Sequence, residues 1–309
     1  MRTYNYFRVN ATVAAGLLFS SGCALQASDP AAHIISYEEF ATAERPSPYV
    51  RSFSTSDGEL CLVGVSHTFD ARSQTTKVIW SEWHAFKPTV AFFEGTGWEM
   101  GMSQDVVGAH GEPAYLRFLA FTSRVPVTSI EPDLVEEITH LRASWSDTQI
   151  RVFYTLRWIA QRVGADGQPP NDDEITTFLR SWFPRMQSFS QEPASSAALG
   201  QDVGTLLPRD VEWKRPSPKW FDPRHSDTFL NSIARESGQF RDRRILKTLL
   251  RETQSGERVF LAVGSDHVHM LEPALAQVLD SSKSAQNEAQ QCVAADAGSA
   301  GSPANAGRR

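Results

Sequence analysis

Short unbroken apolar runs alternate with stretches of helical period along the middle of this chain, and that alternation predicts its architecture. Glu59-Leu60-Cys61-Leu62-Val63-Gly64-Val65 follows the turn signal Ser56-Asp57-Gly58 and reads as a buried strand. From Thr75 to Phe86 the residues Val78, Ile79, Trp80, Trp83 and Phe86 recur at helical spacing, until Lys87-Pro88 stops the helix. Thr89-Val90-Ala91-Phe92-Phe93-Glu94-Gly95 is a second strand. Strand, helix and strand together make a βαβ unit with parallel strands and a right-handed crossover.

The pattern continues with an apolar helical face over Tyr115 to Phe121, a third strand over Val125 to Ile130 and a helix from Leu134 to Leu141. Asp147 to Trp182 reads as helix, broken near Gly164-Ala165-Asp166-Gly167-Gln168-Pro169-Pro170. Residues 187–225, with Pro193, Pro208, Pro216, Pro218 and Pro223, carry no period. A loop of that length in a compact domain reads as a lid, a binding loop or a partly mobile segment. Asp227 to Arg251 is a helix, and Arg258-Val259-Phe260-Leu261-Ala262-Val263-Gly264 is the last strand. The expected fold class is α/β: a central, mostly parallel sheet flanked by helices, with a helical and irregular insertion at about 147–225.

Composition changes the picture at both ends. Residues 1–22 join a basic leader to an apolar stretch, Val9 to Phe19, and a small-residue exit, which is the form of a secretory signal peptide. Gly22-Cys23 suits a bacterial lipoprotein signal, in which lipid on Cys23 attaches the chain to a membrane; an ordinary export signal cleaved after Gly22-x-Ala24 is the alternative. Either reading places the protein outside the cytoplasm, periplasmic or membrane-anchored. Residues 282–309 are rich in Ser, Ala, Gly, Gln and Asn and read as a disordered tail, which leaves about 35–280 to fold.

Removing residues 1–22 takes away Arg2 and Arg8 and no acidic residue, so the formal charge of −6 becomes −8. That balance disfavours nucleic acid as a partner. Cys61, in an apolar run, and Cys292, in the tail, cannot build a disulfide framework, so stability must come from a packed core.

Candidate chemistry lies where strands end. Gly64-Val65-Ser66-His67 and Gly264-Ser265-Asp266-His267 are the only two Gly-x-x-His strings in the sequence, and each directly follows a predicted strand. Ligands of open α/β sheets bind beyond the carboxyl ends of the strands, which is where His67, Glu94, Glu131, Asp266 and His267 fall. A glycine ahead of each histidine lets the chain turn out of the sheet and approach a ligand closely. His67, His267 and Glu94 suit a divalent metal (Mn, Co or Zn), whose bound water would become a nucleophile at neutral pH. The same residues suit metal-free work, with a carboxylate orienting a histidine that acts as general base.

Blander readings stand beside these. Glu94 and Glu131 also suit carboxylates at helix N-termini. Glu112, in the expected loop His110-Gly111-Glu112, is a further candidate to line the site. Arg241-Asp242-Arg243-Arg244 is mostly a solvated helix face from which one arginine can clamp negative charge. His269 points with His267 along an extended chain, but a helix beginning there turns it aside. His84, His140 and His225 read as structural.

With these residues in place, the chain resembles the TraB/PrgY/TIKI/GumN group within the erythromycin esterase-like and ChaN-like superfamily. The resemblance runs over about 55–280 and rests on Val63 to His67, on Lys87 to Gly95, on Ser129-Ile130-Glu131-Pro132, on Arg241-Asp242 and on Val259 to Val268. It implies a ChaN/erythromycin esterase-like α/β core in which His67, Glu94 and His267 make the site, with Glu131 and Arg241 in support. Members of the group include metal-dependent proteases, esterases using His and Glu, inhibitors of pheromone peptides and a haem-binding lipoprotein. Ser66 and Asp266 depart from the usual motif residues, and Asp266 adds a carboxylate.

Together these readings give an exported hydrolase of peptidase or esterase type, acting on a small-molecule or peptide substrate, with Glu131 orienting one histidine and Arg241 stabilising negative charge. The alternative is a surface lipoprotein that binds haem or a peptide without turnover, using Trp213 and Trp220 of the long loop.

Overall fold

The computed structural model describes residues 29–41, 45–95, 106–183 and 195–280. The expected signal over 1–22, Cys23, Cys292 and the tail over 282–309 lie outside them. Five strands, β1 (Tyr49–Ser54), β2 (Glu59–Val65), β3 (Val90–Phe93), β4 (Val127–Ser129) and β5 (Arg258–Gly264), form one sheet in the order β1-β2-β5-β3-β4. All neighbours run parallel except the edge pair β1 and β2. The mixed α/β class and mostly parallel sheet agree with the sequence pattern.

β1 was not among the expected strands. It is an edge strand whose Arg51, Ser52 and Ser54 dilute any alternation, and Phe53 is its one fully buried residue. A turn closed by the Thr55 N–H to the Gly58 carbonyl returns it to β2. Gly58 is required there, because a Cβ would stand 2.6 Å from the Glu257 carbonyl oxygen.

The strands bury both faces, as parallel strands do. Leu60, Leu62, Phe92, Val259, Leu261 and Val263 pack against Ile245, Leu246 and Leu249 of one helix and Val268, Leu271 and Leu275 of another. These helices are α8 (Phe229–Gln254) and α9 (265–280). Across the sheet, Cys61, Val63, Ala91, Phe93 and Phe260 pack on Ile79 and Trp83 of α2 (Gln74–Phe86) and on Leu116 and Leu119 of α3 (Val106–Ser123). Cys61 is buried and unpaired, and burial pushes its thiol up to about 12.

Helix ends follow local chemistry. Ser73 caps α2 by accepting the Thr76 N–H, and Lys87 ends it in the left-handed region at φ 53°. The loop expected at His110-Gly111-Glu112 is instead a kink inside α3, where Gly111 takes φ 73° and ψ −168° two residues before Pro113. Helices α4 (Leu134–Leu141), α5 (Asp147–Asp166) and α6 (Asp172–Trp182) follow, the last two opened by capping boxes at Ser146 and Asn171.

The region 187–225, expected to be irregular, contains a further helix, α7 (Ser196–Leu206). Its flanking prolines suggested a loop, yet 194–207 holds none, and Leu199 and Val203 bury at helical spacing. Helices α5, α6 and α7 share a second core with the N-terminal half of α8, through Phe153, Leu156, Ile175, Leu199, Leu230 and Ile233. α8 therefore spans both cores. No helix among the described residues is long and apolar enough to cross a membrane.

Candidate functional site

Val65 pairs with Gly264 in the β2–β5 ladder, so two segments distant in sequence leave the sheet side by side, Ser66-His67 from one and Ser265-Asp266-His267 from the other. On the other flank of β5, Phe93 pairs with Ala262, and Glu94 follows it directly. Three chain exits thus deliver two imidazoles and a carboxylate to one place.

Each imidazole has a carboxylate behind it. His67 donates from Nδ1 to Glu112 at 2.5 Å, and Glu112 also accepts the Thr68 N–H at 3.0 Å. His267 donates from Nδ1 to Asp242 on α8 at 2.5 Å. Both Nε2 atoms then face Glu94, at 3.8 Å for His67 and 4.0 Å for His267. Glu94 accepts the Gly264 N–H at 2.6 Å through one oxygen and Arg241 at 3.2 Å through the other. Arg241 also makes a two-pronged pair with Glu131. The His267 side chain is only 12% exposed whereas that of His67 is 62% exposed, so the first forms the floor of the site and the second its rim.

The charges reinforce one another. Burial works against the Glu94 carboxylate, but His267, Arg241, His67 and the Gly264 N–H outweigh it and bring its pKa to about 2. The hydrogen bond to Glu112, helped by the Glu94 charge, pushes His67 up to about 9 against its desolvation. Burial opposes a charged His267, yet Asp242 raises it by charge and hydrogen bond. Burial likewise opposes Arg241, and Glu131 and Glu94 overcome it. With both rings neutral, Glu94, Glu112, Glu131, Asp242 and Arg241 carry a formal charge of −3, which two ring protons or one divalent cation would reduce to −1.

Gly264 is the floor beneath this cluster. A Cβ there would lie 3.3 Å from Glu94 Oε2, 3.6 Å from His67 Nε2 and 3.8 Å from His267 Cδ2, so the site groups converge over a bare Cα. A chain of hydroxyls ties the two exits together: Ser47 Oγ lies 2.7 Å from Ser66 Oγ and 2.6 Å from Ser265 Oγ.

Two expected roles are corrected. Glu131 orients no histidine; its carboxylate is occupied by Arg241. Asp266 is exposed in the first turn of α9, where an acidic residue suits the helix dipole, and among the described residues it makes none of the cluster's hydrogen bonds. The carboxylate serving His267 is Asp242, since α9 begins directly after Gly264 and turns Asp266 outward. That same helix turns His269 aside, to stack on Tyr49 at 4.0 Å and bond to the Pro46 carbonyl. His84, His140 and His225 contact Trp80, Phe240 and Asp222, away from the cluster. Trp213 and Trp220 pack on the core of α5, α6 and α7.

Sequence reasoning undervalued Glu112 and passed over Asp242 as an orienting group. Both carry the same signal: an acid at position i of an i+3, i+4, i+7 apolar stripe, with Tyr115, Leu116 and Leu119 after Glu112 and Ile245, Leu246 and Leu249 after Asp242. An acid on a buried stripe must have a partner.

Among the described residues no three or more His, Cys, Asp or Glu are drawn together tightly enough to form a ready metal cage. The donor chemistry nonetheless suits a divalent cation: metal-bound histidines commonly hold their other ring N–H on a carboxylate, as both do here. Ligand distances of roughly 2.0–2.2 Å ask for donors about 3–3.5 Å apart, a small contraction from 3.8 and 4.0 Å. No family model, no curated protein and no solved structure matches this chain.

Proposed function

We propose that the chain is an exported hydrolase of the TraB/PrgY/TIKI/GumN kind, with a ChaN/erythromycin esterase-like fold, acting on a small-molecule or peptide substrate. The observation that carries this reading is the pair of carboxylate-backed imidazoles whose Nε2 atoms face one shared glutamate. His67, His267 and Glu94 would hold a divalent cation such as Mn, Co or Zn, which when bound supplies a water of lowered pKa.

The protein's own groups do the rest. Glu112 and Asp242 each hold an Nδ1–H, so Nε2 is the atom at which each ring gives up its proton or takes a cation. Glu94, fixed by the Gly264 N–H and Arg241, faces both rings. Arg241, itself held by Glu131, puts positive charge beside the place where an oxyanion develops. His67, at the rim, is open to an approaching substrate. Export, and membrane attachment through lipid on Cys23, rest on the N-terminal sequence. Haem capture has less in its favour, because Trp213 and Trp220 pack into the helical core.

The test is elemental analysis of purified protein together with hydrolysis of a panel of esters and peptides, for wild type, His67→Ala, His267→Ala and Glu94→Gln. We expect each variant to lose bound Mn, Co or Zn and to fall by about a hundredfold or more in rate. Unchanged metal content and hydrolysis in the histidine variants would defeat the reading, and a coloured protein with a haem band would favour the alternative.

A further inference from the structure

Beside the cluster, α4, α5, α6 and α8 line a cavity of about 390 Å³ that the hydrolytic groups do not account for. Its lining includes Gly95, next in sequence to Glu94, and the Glu131–Arg241 pair. Whatever occupies it therefore lies within reach of the reacting centre. The volume falls in the range of small-molecule sites.

One wall is aromatic. Trp158 of α5 and Phe178 of α6 stack at 4.2 Å with their planes 9° apart, and Phe178 and Trp182 continue at 5.4 Å and 18°. All three rings are only part-buried and line the cavity. Rings stacked face to face turn their edges to a shared wall, and such edges pack well on the face of a flat apolar group.

The other distinctive group is Arg157, also of α5 and half-buried against the same space. Its neighbours are spoken for. Arg241 is engaged by Glu131 and Glu94, and Glu137 accepts hydrogen bonds at 2.6 Å from both Tyr154 and Ser237. Among the described residues no carboxylate lies within 4.0 Å of the Arg157 guanidinium. Burial and the nearby Arg241 charge both disfavour its own charge, which a bound anion would relieve. Glu131 and Glu137 also line the space, so a singly charged carboxylate fits it better than a phosphate dianion.

We propose that this cavity is the specificity pocket of the site: it takes a substrate whose flat apolar group lies against Trp158, Phe178 and Trp182 while an adjoining carboxylate pairs with Arg157. The word substrate rests on the hydrolase reading; the ligand chemistry rests on the pocket alone. An aromatic acid, or a peptide ending in an aromatic residue, has the required form.

Calorimetric titration of the full chain with two probes of equal shape, 2-naphthoate and 2-naphthamide, tests this. Wild type should bind naphthoate at least about tenfold more tightly than naphthamide. Arg157→Gln should reduce naphthoate to the naphthamide level, Arg157→Lys should retain part of the preference, and Trp158→Ala should weaken both probes. Equal affinities in wild type, or an unchanged preference in Arg157→Gln, would overturn the proposal, and the wild-type comparison needs no variant to fold. A chain that binds naphthoate selectively but hydrolyses nothing would refute the hydrolase and spare the pocket, and the converse result would do the reverse.

Discussion

Gly264 is where the backbone itself touches the chemistry, since its N–H bonds to Glu94 and its bare Cα leaves the room that Glu94, His67 and His267 share. Its conformation is one that alanine also adopts, so the side chain's volume, not backbone strain, decides the effect of substitution. Gly264→Ala should keep the melting temperature within a few degrees of wild type while reducing hydrolysis about tenfold or more, because a methyl group would press on the Glu94 carboxylate at 3.3 Å and fill the space between the two rings. Full activity with an unchanged melting curve would show that the crowding over this Cα is harmless. The same scale explains why Arg241 is held so firmly: a guanidinium gripped by two carboxylates keeps its position beside Glu94.

Among the elements, α8 does the most, joining the two cores and presenting Arg241 and Asp242 from successive positions. Its Gly238 sits mid-helix, where alanine would ordinarily stabilise by about 0.5–1 kcal/mol. Here a Cβ would overlap the Tyr37 hydroxyl and stand 2.8 Å from ring Cζ. Gly238→Ala should therefore destabilise by about 1–3 kcal/mol in denaturant titration, and adding Tyr37→Leu should cost less in that background than in wild type. Strictly additive costs would mean that the two groups do not meet. Strands β2, β3 and β5 were legible in the sequence because buried parallel strands are continuous apolar runs. β1 escaped because only Phe53 faces fully inward, and α7 because its prolines lie outside the helix rather than in it. His67, His267 and Glu94 were legible because strand ends are local features; the roles of Glu112 and Asp242 were not, because each meets its histidine only through tertiary packing, 45 and 25 residues away.

At the scale of the whole molecule, the site couples stability to pH from both sides. His67 titrates at about 9 in the fold against 6.5 for an ordinary imidazole, so its contribution is complete below about pH 6.5 and is lost as pH rises through 9. Glu94 titrates at about 2 against 4.5, so its contribution is present above pH 4.5 and is lost as pH falls through 2. Protein freed of divalent cations by a chelator should thus be most stable between about pH 4.5 and 6.5, and His67→Gln should flatten the alkaline side of thermal melts recorded across pH. Parallel alkaline declines in the two proteins would contradict the assignment. The strand order carries a last consequence. β5 lies between β2 and β3, so residues 59–95 cannot complete their own sheet until residues 258–264 have been made. A growing chain therefore holds His67 and Glu94 on strands that lack their shared neighbour, and synthesis of the final strand joins the sheet and supplies His267 together. A site built this way stays incomplete until β5 has been made, because the strand that joins the sheet is also the one that leads into His267.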